Sequence, residues 1–275
     1  MNIQTRASFT KEYLAFFRTN RFTIIAASFI GVALLSPLLI SGMSALVDFY
    51  ADLGVDISDL TGMLVSASSI GVASSISEIA TIGLLIFILL INRYAGGEQK
   101  KRAVIIPMSS GLRSFGYIFP KFIVYPLSAF VLGIIGVLAS WLVSGWVFEV
   151  NDVTFGVAVL SGMLVGVRLM LFVCFHLTLG TATGRAGMSA AVCIVASFLL
   201  PNFISIADAE LMFNPFALEL LAVRTVQIGY ATASDVQDMI ITVIISVVIM
   251  AIMYFIALFA QNAKRIDNTG NEISL

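Results

Sequence analysis

Ionisable side chains inside apolar segments are the first places to look for chemistry, and this chain has few of them. Glu78, Arg168 and His176 fall well inside long hydrophobic runs. A charge in such a run must find a partner or line a polar cavity, because hydrocarbon does not solvate it. Glu78 stands 14 residues before Asn92, and Arg168 stands 17 before Arg185. At 1.5 Å per residue their depths differ by less than about one helical turn. A Glu78–Arg168 ion pair is therefore expected. It could fix how two helices dock, or it could belong to a substrate path. His176 follows Arg168 by eight residues, on roughly the same helix face, and is read as a hydrogen-bonded structural group. Cys174 and Cys193 lie in apolar runs and read as small buried hydrophobes.

The second candidate is a polar interruption between apolar runs, residues 92–117. Gly96-Gly97 ends a helix, and Glu98, Gln99, Lys100, Lys101 and Arg102 follow. Val104, Ile105 and Ile106 then form an apolar knob among charges, which suits a docking surface. Glu98 to Ile106 is compatible with a short helix that Pro107 ends, and Ser109-Ser110-Gly111 makes a turn. Other chemistry is missing. There is no P-loop, no H-E-x-x-H and no G-x-S-x-G, and His176 is the only histidine. Nothing favours an enzyme, and ATP hydrolysis is not expected of this chain.

The elements that position these residues are membrane helices. Of 275 residues, 59% are hydrophobic and 11% charged, against about 25% charged in a soluble domain. Such a surface needs lipid as its solvent. The net charge of −1 carries no argument for nucleic acid, and no nucleic-acid partner is expected. The expected fold is all-α, one transmembrane domain over 1–275 with six spans at 22–47, 66–91, 118–148, 153–180, 186–206 and 236–260. The first run is too long for a signal peptide and reads as a retained anchor. With the N-terminus inside, thirteen of the fifteen basic residues fall on the inner side, so both termini are expected to be cytoplasmic. Residues 6–20 carry Phe9, Tyr13, Phe16 and Phe17 at helical spacing, with Arg6, Lys11 and Arg18 mostly off that stripe. They read as an interfacial helix in the headgroup layer. Residues 207–235 form the longest outer segment, broken by Asn214-Pro215 and carrying Glu219 and Arg224. A non-spanning helix, a re-entrant hairpin and an ordinary loop with one short helix all fit it. Gly162-x-x-x-Gly166 and Gly180-x-x-x-Gly184 offer small faces for close helix packing.

In the order of these parts, the chain resembles the membrane subunits of the ABC-2 type transporter family. The likeness covers a basic elbow helix, six spans and inner termini. The best local match runs from Glu98 through Ala103 to Ile106 and Pro107-Met108-Ser109-Ser110 to Lys121, similar to the family's coupling segment. Phe213-Asn214-Pro215-Phe216 resembles the Asn/Ser-Pro of the family's outer re-entrant region. Lys101-Arg102 stands where many members have Gly-Thr. The resemblance implies a permease subunit in a cell membrane, pairing with a second permease subunit and docking an ABC ATP-binding subunit through residues 96–111. ATP and Mg would then reside in the partner. Exporters predominate in the family. The alternative from the residues themselves is an ATP-independent secondary transporter or channel.

Overall fold

The computed structural model describes residues 3–53, 67–98, 112–148, 150–205 and 214–272. Among them the secondary structure is helical, apart from a single bridge between Ala67 and Val150. In chain order the helices are α1 (Ile3–Phe17), α2 (Asn20–Asp52), α3 (Ser68–Gly97), α4 (Ser114–Val147), α5 (Phe155–Thr183), α6 (Ala186–Ser205), α7 (Leu218–Ile228) and α8 (Ala233–Glu272). Five of them, α2, α3, α4, α5 and α8, are long and apolar enough to cross a membrane. The sixth expected span, α6, has a shorter apolar stretch, Ala186–Pro201. Among the described residues, five of the six expected spans are thus long apolar helices, and the sixth position is held by the helix α6.

α5 is the central post. In its most apolar stretch 72% of the residues are buried, against 22% in α8, so α4, α6, α7 and α8 pack around it. Close approach follows from missing side chains. A Cβ at Gly166 would lie 2.7 Å from Phe130 of α4, and one at Gly162 would lie 3.1 Å from the Ile134 Cα. Gly180 meets α3 in the same way, 2.7 Å from Ala95. Gly184 has a second use. It closes α5 in the left-handed conformation, φ 67°, with its N–H on Gly180 O.

Contacts sort the helix ends into two layers. At the basal end, Lys11 of α1 reaches Glu98 after α3, Gly96 abuts Gly180, and Lys264 of α8 donates to Thr181 O at 2.6 Å. The described parts of both terminal helices therefore share one end. At the distal end, Ser68 N–H donates to Val150 O and Trp141 Nε1 donates to Val153 O. After α6 the chain comes back into the bundle. Phe216 lies against Arg168, the midpoint of α5, and α7 then climbs until Gly229 meets Asp152 at the distal end.

α1 packs one face on the bundle. Thr5, Ser8, Glu12 and Phe16 are buried, while Tyr13 and Leu14 are exposed. The helix packs against the base of α4, where the Phe16 and Tyr125 rings meet in T-shaped contact.

Glycine at 180 is where the post and α3 touch. Gly180→Ala should lower stability by about 1–3 kcal/mol, because backbone blocks the added methyl. Gly31→Ala, with nothing within 4 Å, should be neutral or stabilising by up to about 1 kcal/mol. Thermal unfolding of the two variants in detergent checks the contrast.

Candidate functional site

Two polar clusters and one isolated carboxyl stand out from the apolar packing. The first centres on Arg168, whose side chain is completely buried. Its Nη2 pairs with Glu219 Oε2 at 3.0 Å and donates to Ser197 O at 3.2 Å. Its Nη1 donates to Ala80 O at 2.5 Å, and Nε donates to Phe216 O at 3.3 Å. The guanidinium also lies 5.2 Å from the centroid of Phe172. One planar fork thus ties α3, α5, α6 and α7 together.

Local structure explains why those acceptors are free. α3 carries a π-helical turn at Ile79–Gly83, where Leu84 N–H reaches back to Ile79 O. The regular helical acceptor of Leu84 is Ala80 O, and that carbonyl goes to Arg168 instead. At Phe216, Asn214 caps a short 3-10 turn by accepting from Phe216 N–H at 3.0 Å. The Asx-Pro turn leaves Phe216 O pointing outward to Arg168. Glu219 occupies the first turn of α7, where the helix dipole favours an anion.

The expected Glu78–Arg168 pair is therefore replaced by Glu219–Arg168. The depth estimate held, since Arg168 touches Ala80, two residues from Glu78. The azimuth did not: two residues turn a helix by about 200°, so Glu78 faces away. Glu78 Oε2 is buried without a hydrogen-bond partner. Glu219 had been noted only as part of the outer segment. A carboxylate inside the apolar stretch 211–226 was the available signal.

The second cluster closes the basal end. Lys121 Nζ donates to Glu98 Oε2 at 2.6 Å, to Tyr94 O at 2.9 Å and to Tyr117 Oη at 3.0 Å. Tyr117 donates to the same Glu98 oxygen at 2.8 Å, and Lys11 reaches Oε1 at 3.3 Å. Glu12 accepts from Tyr125 at 2.7 Å, and Tyr125 stacks on Tyr94. α1, the end of α3 and the start of α4 thus share one network around Glu98. Burial pushes the Glu98 carboxyl up, but Lys121, by charge and hydrogen bond, with Lys11 and Tyr117, holds it at about 2, below its ordinary 4.5. Of the loop residues singled out in the sequence, Glu98 is placed in this network. Gln99, Lys100, Lys101, Arg102, Val104, Ile105, Ile106 and Pro107 lie outside the described residues. Glu12 and Tyr117 were not anticipated as members.

Two smaller features complete the inventory. At the distal end, Asp152 accepts from Ser69 N–H at 2.9 Å, Ser68 Oγ at 2.7 Å and Ser69 Oγ at 2.5 Å. It caps the N-terminus of α3 from another loop. Burial raises its pKa, and the bonds from Ser69 and Ser68 outweigh that and lower it. His176 is buried, with Nδ1 3.1 Å from Ser189 Oγ and Nε2 without a partner. Among the described residues no three His, Cys, Asp or Glu side chains gather as metal ligands. Both networks join helices; neither aligns a nucleophile with a base.

The partner assignment is open to a double-mutant cycle. Arg168→Met should destabilise by about 3–5 kcal/mol, since it strands Glu219. A cycle of Arg168→Met with Glu219→Gln should show coupling above about 1 kcal/mol, and a cycle with Glu78→Gln should show none. For Glu98 the sign is set by its depressed pKa. Its carboxylate contributes fully above about 4.5 and loses that contribution as pH falls towards 2. The stability difference between wild type and Glu98→Gln should be constant from pH 7 to 5 and shrink below.

Comparison of this chain with protein-family models, with curated proteins and with solved structures finds no match.

Proposed function

We propose that this chain is the membrane subunit of an ATP-driven transporter of the ABC-2 type, exporting its substrate across a cell membrane. The observation that carries the reading is the basal network. Segment 99–111 is bounded by Glu98 and Leu112, and Glu98, Lys121 and Lys11 join the helices on either side of it to α1. A push on such a segment passes to three helices at once. That is the connection a coupling segment needs if a separate ATPase, holding ATP and Mg, drives it. The absence of a P-loop from the sequence agrees with this division of labour.

In this reading α6 and the return through α7 make up the sixth crossing, and the basal end is cytoplasmic. The basic residues of the sequence support that orientation, because Lys11, Lys121 and Lys264 all sit at the basal end. A second permease subunit would complete the substrate path, as the resemblance implies. A second reading is favoured by Glu78. An unpartnered carboxyl in a membrane helix also suits an ATP-independent transporter or channel.

Co-purification from the native membrane separates the two. Wild-type chain should bring down an ABC ATPase, and a variant with Val104, Ile105 and Ile106 all changed to Asp should lose it while keeping its thermal stability. If no ATPase accompanies the wild type, the ABC reading fails, and solute flux without ATP becomes the assay.

A further inference from the structure

The first half of α3 has one open face, on which polar residues lie between Ile70 and Ile82. From Ser68 to Ala80 every residue is buried except Ile70, Ser74, Ser77 and Glu78. Thr81, one turn on, is also partly exposed. These positions fall at helical spacing on a single stripe. The rest of the chain covers the other sides: Ser75 donates to Ala33 O of α2 and accepts from Ser140 of α4, and Ala80 turns to Arg168. Thr81 Oγ1 donates to Ser77 O at 2.7 Å, but lipid is a poor neighbour for a carboxyl and two serine hydroxyls near the middle of a span.

Charge complementarity identifies what the stripe suits. Arg168 is the basic residue at this depth, and Glu219 together with three carbonyls already satisfies it. Glu78 has no counter-charge among the described residues, and its Oε2 is buried without a partner. A cation placed against that oxygen would supply the missing partner. The geometry also sets the size of the ligand. Ser74 and Thr81 are seven residues apart, about 10 Å along the axis. Oxygens spread so far on one helix cannot converge to about 2.6 Å around a single metal ion. They can line an extended molecule.

We propose that the open face of α3 binds a lipophilic organic cation, with Glu78 as its counter-charge and Ser74, Ser77 and Thr81 as neutral polar contacts. This names the substrate class within the transport reading and rests on that reading for its direction and energy source. The binding itself does not need an ATPase.

The test uses the full chain in lipid nanodiscs, with tetraphenylphosphonium as probe and tetraphenylborate as the anionic control for partitioning. Wild type should bind the cation saturably and show no saturable binding of the anion. Glu78→Gln should weaken cation binding at least tenfold, and Glu78→Asp by no more than a few-fold. Ser74→Lys, which supplies a cation one turn from Glu78, should also abolish it, and it serves if Glu78→Gln does not fold. Unsaturable binding by wild type, or equal affinity in Glu78→Gln, overturns the proposal. So does a face closed by a second copy of the chain, seen as no cation binding and a dimer that separates in Glu78→Gln. Cation binding through Glu78 with no co-purifying ATPase would keep this site and remove the ABC reading. An ATPase partner with Glu78-independent binding would do the reverse.

Discussion

The fold turns on the solvation of one charge. A guanidinium at the midpoint of the central helix cannot be hydrated there, so the protein must supply its acceptors. It does so with the Glu219 carboxylate and the carbonyls of Ala80, Ser197 and Phe216. Three of these four acceptors require a departure from regular structure or from simple threading. Ala80 O is exposed by a π-helical turn, Phe216 O by an Asn-Pro turn, and Glu219 by a chain that turns back into the bundle. An arginine so surrounded is costly to bury but rigid once satisfied. It fixes α7 at mid-bundle against α3, α5 and α6.

The polar groups fall into two kinds. Those around Arg168, Glu98 and Asp152 are mutually satisfied, and each joins elements distant in sequence: α3 to α5, α1 to α4, and the α4–α5 loop to α3. They hold the helix bundle as a frame. Glu78 is of the other kind, a carboxyl in a membrane helix with a buried oxygen and no partner. Other buried polar atoms among the described residues, such as His176 Nε2, also lack a partner, but Glu78 is the carboxyl among them.

Much of this arrangement was legible in the sequence, and what was not has physical causes. The apolar runs located the long helices because lipid imposes about 20 residues per crossing. α6 runs over Ala186–Ser205, within the expected 186–206. Glu98 and Lys121 were visible as the bounds of the polar segment, but the partners Glu12 and Tyr117 depend on how α1 docks. That contact joins Glu12 to Tyr125 across 113 positions. The aromatic stripe of α1 suggested a lipid-facing helix, yet Glu12 lies inside, since Tyr125 and Lys11 are there to receive it. Arg168 shows the sharpest division. Its depth follows from counting residues; its partner depends on azimuth, and a π-helical turn alters azimuth without leaving a mark in the pattern.

The most direct test of the central claim, that Arg168 holds the return segment at mid-bundle, is hydrogen–deuterium exchange of the chain in nanodiscs, followed over residues 214–228. Amide protection there should be comparable to that of α5, and should be lost in Arg168→Met while α5 itself stays protected. Exchange as fast in wild type as in an exposed loop would contradict the claim.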